Sequence, residues 1–143
     1  MEIEIRFPGG KRVDALVGGH WISTDQPVDH GGQGSAAGPF ELFLASVATC
    51  AGFYVLAFCE ARKLSMAGLK MRQIVELDDK TKLPLRIQIA LELPTTFPAA
   101  YRAAVVRAAE GCKVKRTLAS QPSIEVIATA AEPAEAAAVR AAS

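Results

Sequence analysis

The sequence predicts an α+β domain with mostly antiparallel strand pairing, in the order βββ–α–ββ–αα–β. Three observations predict it. Short alternating segments at the N-terminus are separated by Pro-Gly-Gly and Gly-Gly turns. One long uncharged apolar stretch follows a loop rich in Gly and Pro. Two further alternating segments come next, and then residues with helical spacing.

Residues 2–7 (EIEIRF) alternate apolar and polar side chains and read as a strand. Pro8-Gly9-Gly10 is a turn signal, and residues 11–18 return as a second strand of the same hairpin. Gly18-Gly19 turns the chain into a third strand at 20–24. Residues 25–38 (DQPVDHGGQGSAAG) read as a loop, long for a compact domain and so a candidate for function or mobility. Pro39 then opens a central helix in the first-turn position that proline tolerates. The helix is expected to run to about Lys63. Its large apolar residues, among them Phe40, Phe43, Val47, Phe53, Val55 and Phe58, surround the whole circumference. Such a helix is expected to be buried on every side, by sheets or by a second subunit.

Residues 69–78 and 84–93 alternate and read as two long strands joined by a hairpin loop, with Pro94 ending the pair. The Asp78-Asp79 and Lys80-Thr81-Lys82 cluster reads as a solvated hairpin tip. Residues 98–110 form a second helix with Tyr101, Val105, Ala108 and Ala109 as its apolar stripe. Gly111 suits the left-handed residue that often follows a helix. Residues 113–120 read as a short third helix and 123–130 (SIEVIATA) as a last strand. The Ala-rich tail, 133–143, is expected to fray.

The 143 residues suit a single domain over 1–143, and 50% hydrophobic with 22% charged residues is enough for a packed core. Much of that apolar content is small: there are 26 Ala, and aromatics make up only 6%. A mean hydropathy of +0.20 is high for a lone domain, which points to burial against a second subunit. The net charge of +1 carries no electrostatic footprint for nucleic acid or an anionic membrane. Leu42 to Cys59 is uncharged over 18 residues, but its Ser, Thr, Gly and Ala content reads as a core helix rather than a membrane span. The acidic, alternating N-terminus is not a signal peptide. His20 and His30, with Asp25 and Asp29 near, lack metal-ligand spacing, and Gly31-Gly32-Gln33-Gly34 lacks a phosphate-loop context. Neither a metal nor a cofactor is expected.

The three Cys are an odd number without CxxC spacing, as in a cytoplasmic protein whose thiols rest reduced. Cys50 and Cys59 lie nine residues apart, about 900° of rotation and about 13.5 Å of rise, so they occupy opposite faces of one helix. Cys59 reads as a small buried apolar residue. Cys50 sits mid-helix, too far from the start of its own helix to gain acidity there. Cys112 follows a glycine break and opens a helix beside Lys113, Lys115 and Arg116, which favours thiolate. Residue placement alone therefore makes Cys112 the better nucleophile and leaves open whether it meets Cys50.

The stretch from Pro39-Phe40-Glu41-Leu42 to Thr49-Cys50, with Glu110-Gly111-Cys112-Lys113-Val114 after a helix, resembles the OsmC/Ohr family. The resemblance extends to about Ala130 and includes the element order. It implies an intertwined homodimer in which sheets of both chains wrap two central helices. It also implies a thiol-dependent peroxidase of oxidative-stress defence, with its site at the dimer interface. Cys50 would then attack an organic hydroperoxide, Cys112 would resolve the sulfenate as a disulfide, and a dithiol reductant would restore both. That assignment reverses the preference for Cys112 as the attacker. In the family's peroxidases a Glu ten residues before the nucleophile pairs with an Arg from an early strand. Here that place holds Phe40, Glu41 is half a turn out of phase, and the Arg falls near Lys11 or Arg12. The charge pair is incomplete or rearranged, which resembles a less characterised OsmC-like branch. The Gly-rich loop before the helix is a candidate cover for the Cys50 pocket. Two alternatives stay open: a small-molecule or lipid-binding protein of the same fold, and thiols with a purely structural role.

Overall fold

The computed structural model describes residues 1–130, so the expectation of a frayed 133–143 lies outside the described residues. Three strands, β1 (Glu4–Gly9), β2 (Arg12–Val17) and β3 (His20–Thr24), form an antiparallel sheet in that order. A long helix, α1 (Pro39–Ala61), follows. A second antiparallel pair, β4 (Lys70–Leu77) and β5 (Pro84–Glu92), precedes α2 (Ala99–Glu110) and α3 (Lys113–Ser120). The predicted order holds through α3.

The core sits where α1 crosses α2. Val47, Ala51, Val55, Phe58 and Cys59 recur at helical spacing on one side of α1 and are buried. Val55 meets the same buried cluster as Val105 and Ala109 of α2, Phe97 and Cys112. Ala at 51 and 109 lets the two helices approach closely, and Phe58 packs edge-on to Tyr101, ring centroids 6.1 Å apart. Met71, Ile89 and Leu91 of the β4–β5 pair pack against this cluster. Gln73 of β4 donates from Nε2 to the Leu44 carbonyl, 3.0 Å, fixing the pair on α1.

The expected burial of α1 is met on one side by this chain alone, and one expectation about the strands is corrected. Within one chain α1 is buried on one side only: Phe53 is 63% exposed and Leu56 39%, in a stripe with Ala45 and Thr49. The predicted strand at 123–130 is not formed. Its apolar residues stand in solvent, Ile124 at 89% and Val126 at 96% exposed. A strand needs a neighbouring edge to pair its amides and carbonyls, and among the described residues no strand pairs with the segment. Gly111 also departs from expectation, closing α2 at φ −76° rather than in the left-handed region. The helix carries straight into a tight turn there.

The three-stranded sheet is amphipathic. Ile5, Ala15 and Ile22 are cross-strand neighbours on one face, and Ile5 and Ile22 are exposed. Arg6, Asp14 and Ser23 are neighbours on the other. Asp14 is fully buried, and Arg6 donates to its carboxylate from Nε at 3.1 Å and from a terminal nitrogen at 2.9 Å. Burial alone would raise the Asp14 pKa, but hydrogen bonds from Arg6 and Ser23 and the charge of Arg12 outweigh it and hold it low. The Arg6 guanidinium also lies 3.7 Å over the Trp21 ring.

The loop at 25–38, rich in glycine, is pinned by one side chain. Asp25 is buried, and its carboxylate accepts from the amides of Gln26, Gln33 and Ser35 and from the Ser35 hydroxyl, at 2.8–3.2 Å. These bonds close the loop around a single 3-10 turn at Val28–His30. They hold the Asp25 pKa down to about 2, the Ser35 bonds being the largest cause. A Cβ at Gly32 would overlap the Gln26 carbonyl and come within 2.9 Å of Asp25 Oδ1. Gly32→Ala is therefore expected to cost about 1–3 kcal/mol in denaturant unfolding, with Gly34→Ala, which meets nothing, as the spatial comparison. Because the folded pKa lies below the ordinary 3.8, this anchor is fully present above about pH 4 and is lost as pH falls towards 2. Ser35 amide protection in hydrogen exchange should fade over that window, and Asp25→Asn should abolish the dependence.

Candidate functional site

The site forms where α3 begins. After Gly111 the backbone turns extended at Cys112, φ −61° and ψ 145°, and Cys112 becomes the N-cap of α3. The first turn of any helix presents amides with no partner in the helix. Here the Cys112 Sγ accepts one of them, from Lys115 at 3.3 Å. Lys113 and Val114, the first residues of α3, line one cavity with Cys50, and Cys50 and Val114 pack against the cluster that holds Cys112.

Cys50 is half-buried on α1, and no disulfide is present. Its thiol pKa is pulled below the ordinary value by the Val114 amide first. Burial opposes this, and the Cys112 thiol, the Lys113 amide and the charge of Arg116 add to it. The structure thus brings Cys50 and Cys112 together. Of the cations that the sequence places around Cys112, Arg116 acts on Cys50, as do the amides of Val114 and Lys113, while the Lys115 amide serves Cys112. The expectation that Cys50 lies too far from a helix start holds for α1 but not for α3, whose start reaches it from another part of the chain. Arg116 and the two amides are site groups that sequence reasoning assigned to the wrong sulfur. The signal was present in Gly111-Cys112-Lys113-Val114, but which sulfur it serves depends on how α3 packs on α1.

The other candidates lie elsewhere. Cys59 is fully buried in the core, and burial pushes its thiol pKa up. Arg12 points its guanidinium at Asp14, 3.7 Å away, and Lys11 lies beside Gly31. Within one chain neither is among the groups that act on Cys50. Glu41 is used as a helix cap: its carboxylate accepts the Gly38 amide at 2.8 Å. Phe40 stacks on Phe43, centroids 5.9 Å apart. His20 and His30 are both exposed. Among the described residues, no group of three or more His, Cys, Asp and Glu is placed to hold a metal.

Two cavities border α3. One of about 400 Å³ is lined by Cys50, Phe43, Lys113, Val114, Thr117 and Leu118, and its wall is almost wholly apolar. The other, of about 370 Å³, is lined by Cys112, Val47, Val106, Glu110 and Lys115 together with Arg86, Ile89 and Leu91 of β5. Leu118 is the one residue common to both. Within one chain no residue of the 25–38 loop lines either cavity.

Comparison with known proteins follows the same lines. The family model described as OsmC-like protein matches residues 32–127. Among solved structures, a Psychrobacter arcticus protein, described provisionally as an osmotic stress induced and detoxification response protein, superposes with a TM-score of 0.68. It is 21% identical, over 80% of this chain and 85% of that one. An OsmC-like protein from Mycoplasma pneumoniae gives 0.65 at 15% identity, over 84% and 87%. An organic hydroperoxide resistance protein OsmC from Legionella pneumophila gives 0.53 at 21% identity, over 82% and 87%. A search of curated proteins finds no significant match.

The geometry at Cys50 is open to a clean test. Cys112 already has the extended backbone that a following proline requires, and proline is tolerated at the first helical position. Lys113→Pro is therefore expected to delete one of the amides that lower the Cys50 pKa while α3 persists. The pH midpoint for Cys50 alkylation, lowered in the parent by these amides, should rise relative to Lys113→Ala. Arg116→Ala should lower the alkylation rate at pH 7 by roughly two- to fivefold, the range of a partly exposed charge pair.

Proposed function

Because the chain belongs to the OsmC-like protein family, we propose that it is a thiol-dependent peroxidase that reduces organic hydroperoxides through Cys50 and Cys112. The observation that supports this reading is that Cys50 packs against the buried cluster containing Cys112 and lines one cavity with Lys113 and Val114, the first residues of α3. Thiolate is the reactive form, and the amides of those two residues favour it. The Cys50 thiolate attacks one oxygen of the hydroperoxide, the O–O bond breaks, and the alcohol leaves with a proton from solvent. Cys112 then attacks the sulfenate sulfur, water leaves, and a disulfide links the two chain positions. A dithiol reductant returns both thiols. The apolar wall beside Cys50 suits a hydroperoxide with a hydrocarbon body. The Legionella pneumophila neighbour, described as an organic hydroperoxide resistance protein, supports the same chemistry.

The departure at Phe40 bears on how the thiolate is stabilised. With Glu41 spent on the helix cap and Arg12 on Asp14, the amides of α3 and Arg116 take the place of a carboxylate–guanidinium pair. Lys11 and Arg12 would assist Cys50 only if carried to it by a partner chain.

The working form in this reading is a cytoplasmic homodimer, where three unpaired thiols stay reduced at rest. Three uncovered apolar surfaces support it: the Phe53–Leu56 stripe of α1, the Ile5–Ile22 face of the sheet, and Ile124, Val126 and Ile127 of the 123–130 segment. The cavity at Cys50 also favours a second reading, a carrier of small apolar molecules without turnover.

An alkyl hydroperoxide added to the reduced protein should consume two thiols per chain, and Cys50→Ser should abolish the reaction. Cys112→Ser should lower dithiol-driven turnover at least about tenfold, whereas Cys59→Ser should leave it unchanged. Bound apolar ligand in native mass spectrometry with no thiol loss would favour the carrier instead. Sedimentation should give twice the 15.1 kDa mass of the chain.

A further inference from the structure

The two cavities that border α3 have Leu118 in both of their walls. We propose that Leu118 determines substrate length: it sets the longest apolar body that can lie in the Cys50 cavity, and so selects hydroperoxides with short hydrocarbon bodies. This deepens the peroxidase reading above and rests on it for the substrate's chemistry. The length limit itself is a property of the cavity and can be measured without any peroxide.

Helical spacing places Leu118 at the border. It lies four residues after Val114, which lines the Cys50 cavity, and three after Lys115, which lines the cavity beside β5. Residues three and four apart are neighbours on a helix surface. Leu118 therefore stands on the ridge between two adjacent faces of α3. The same holds on α1. Val47 lies four residues after Phe43 and three before Cys50, and it lines the β5 cavity while those two line the other. The cavities thus run side by side along both helices, and Leu118 lies where they adjoin.

Both cavities are apolar near this border. Phe43, Val114 and Leu118 accompany Cys50 in the cavity of about 400 Å³. Val47, Ile89, Leu91 and Val106 belong to the one of about 370 Å³. A hydrocarbon chain anchored at Cys50 lies along Phe43 and Val114 and is stopped at Leu118. A shorter side chain at that position joins the two spaces, and a longer hydrocarbon then continues onto the β5 side. Leu118 is 46% exposed and is not part of the buried core cluster, so truncating it leaves the core packing in place.

The test uses N-ethyl-, N-hexyl- and N-dodecylmaleimide on the reduced protein, each below the concentration at which it forms micelles. The rate of modification at Cys50 is followed by mass spectrometry. In the parent the hexyl reagent is expected to react faster than the ethyl, and the dodecyl more slowly than the hexyl. Leu118→Ala should raise the dodecyl-to-hexyl rate ratio at least about fourfold, the factor that burial of one further methylene group gives. Leu118→Phe should lower the ratio. A change in the Cys50 thiol itself would scale all three rates alike and cancel in the ratio. An unchanged ratio in Leu118→Ala, or equal scaling of all three rates, overturns the proposal. A ratio that shifts as expected supports it, and if alkyl hydroperoxides then consume no thiols, the peroxidase reading alone fails.

Discussion

The arrangement at the site depends on one backbone break. Between Ala109 and Lys113 the chain leaves one helix, turns through Gly111, runs extended at Cys112 and starts another helix. A helix start has amides that must find acceptors. One finds the sulfur of the residue that begins the helix, and two more lower the pKa of a thiol on a different helix. Had α2 and α3 been continuous, those amides would have been bonded internally and Cys50 would face an ordinary helix side. The α1–α2 crossing, closed by Val55, Val105 and small Ala side chains, holds the break at the right height along α1.

Most elements were legible because they follow local rules. Alternation placed β1 to β5, and an uncharged stretch opened by Pro39 placed α1. What escaped depended on distant residues. The segment 123–130 alternates like a strand, but alternation supplies only a face, not a neighbouring edge to pair with. The loop at 25–38 looked loose because Gly and Pro are visible in sequence. The convergence of four donors on Asp25 becomes visible only when the chain folds back on it.

The cysteines show the same division. That Cys59 is a core residue followed from helical geometry, and it is fully buried. That Lys113, Lys115 and Arg116 create a setting for thiolate was also legible. Which thiol receives that setting was not, because a helix start acts on whatever lies ahead of it, and here α1 lies ahead. The resemblance to a family supplied the pairing of Cys50 with Cys112 before the packing did. The electrostatic partners differ from that family's pattern, since Phe40 joins an aromatic stack in place of a carboxylate.

The ion pair between Arg6 and Asp14 has an optical consequence. The chain has one Trp and two Tyr. Trp21 lies in the three-stranded sheet under the Arg6 guanidinium, while Tyr54 and Tyr101 belong to α1 and α2. The extensive inter-element contacts of that sheet are internal to it. Indole emission therefore reports the N-terminal sheet and not the helices that carry both tyrosines. The single indole is a built-in optical reporter on that sheet, with no label needed.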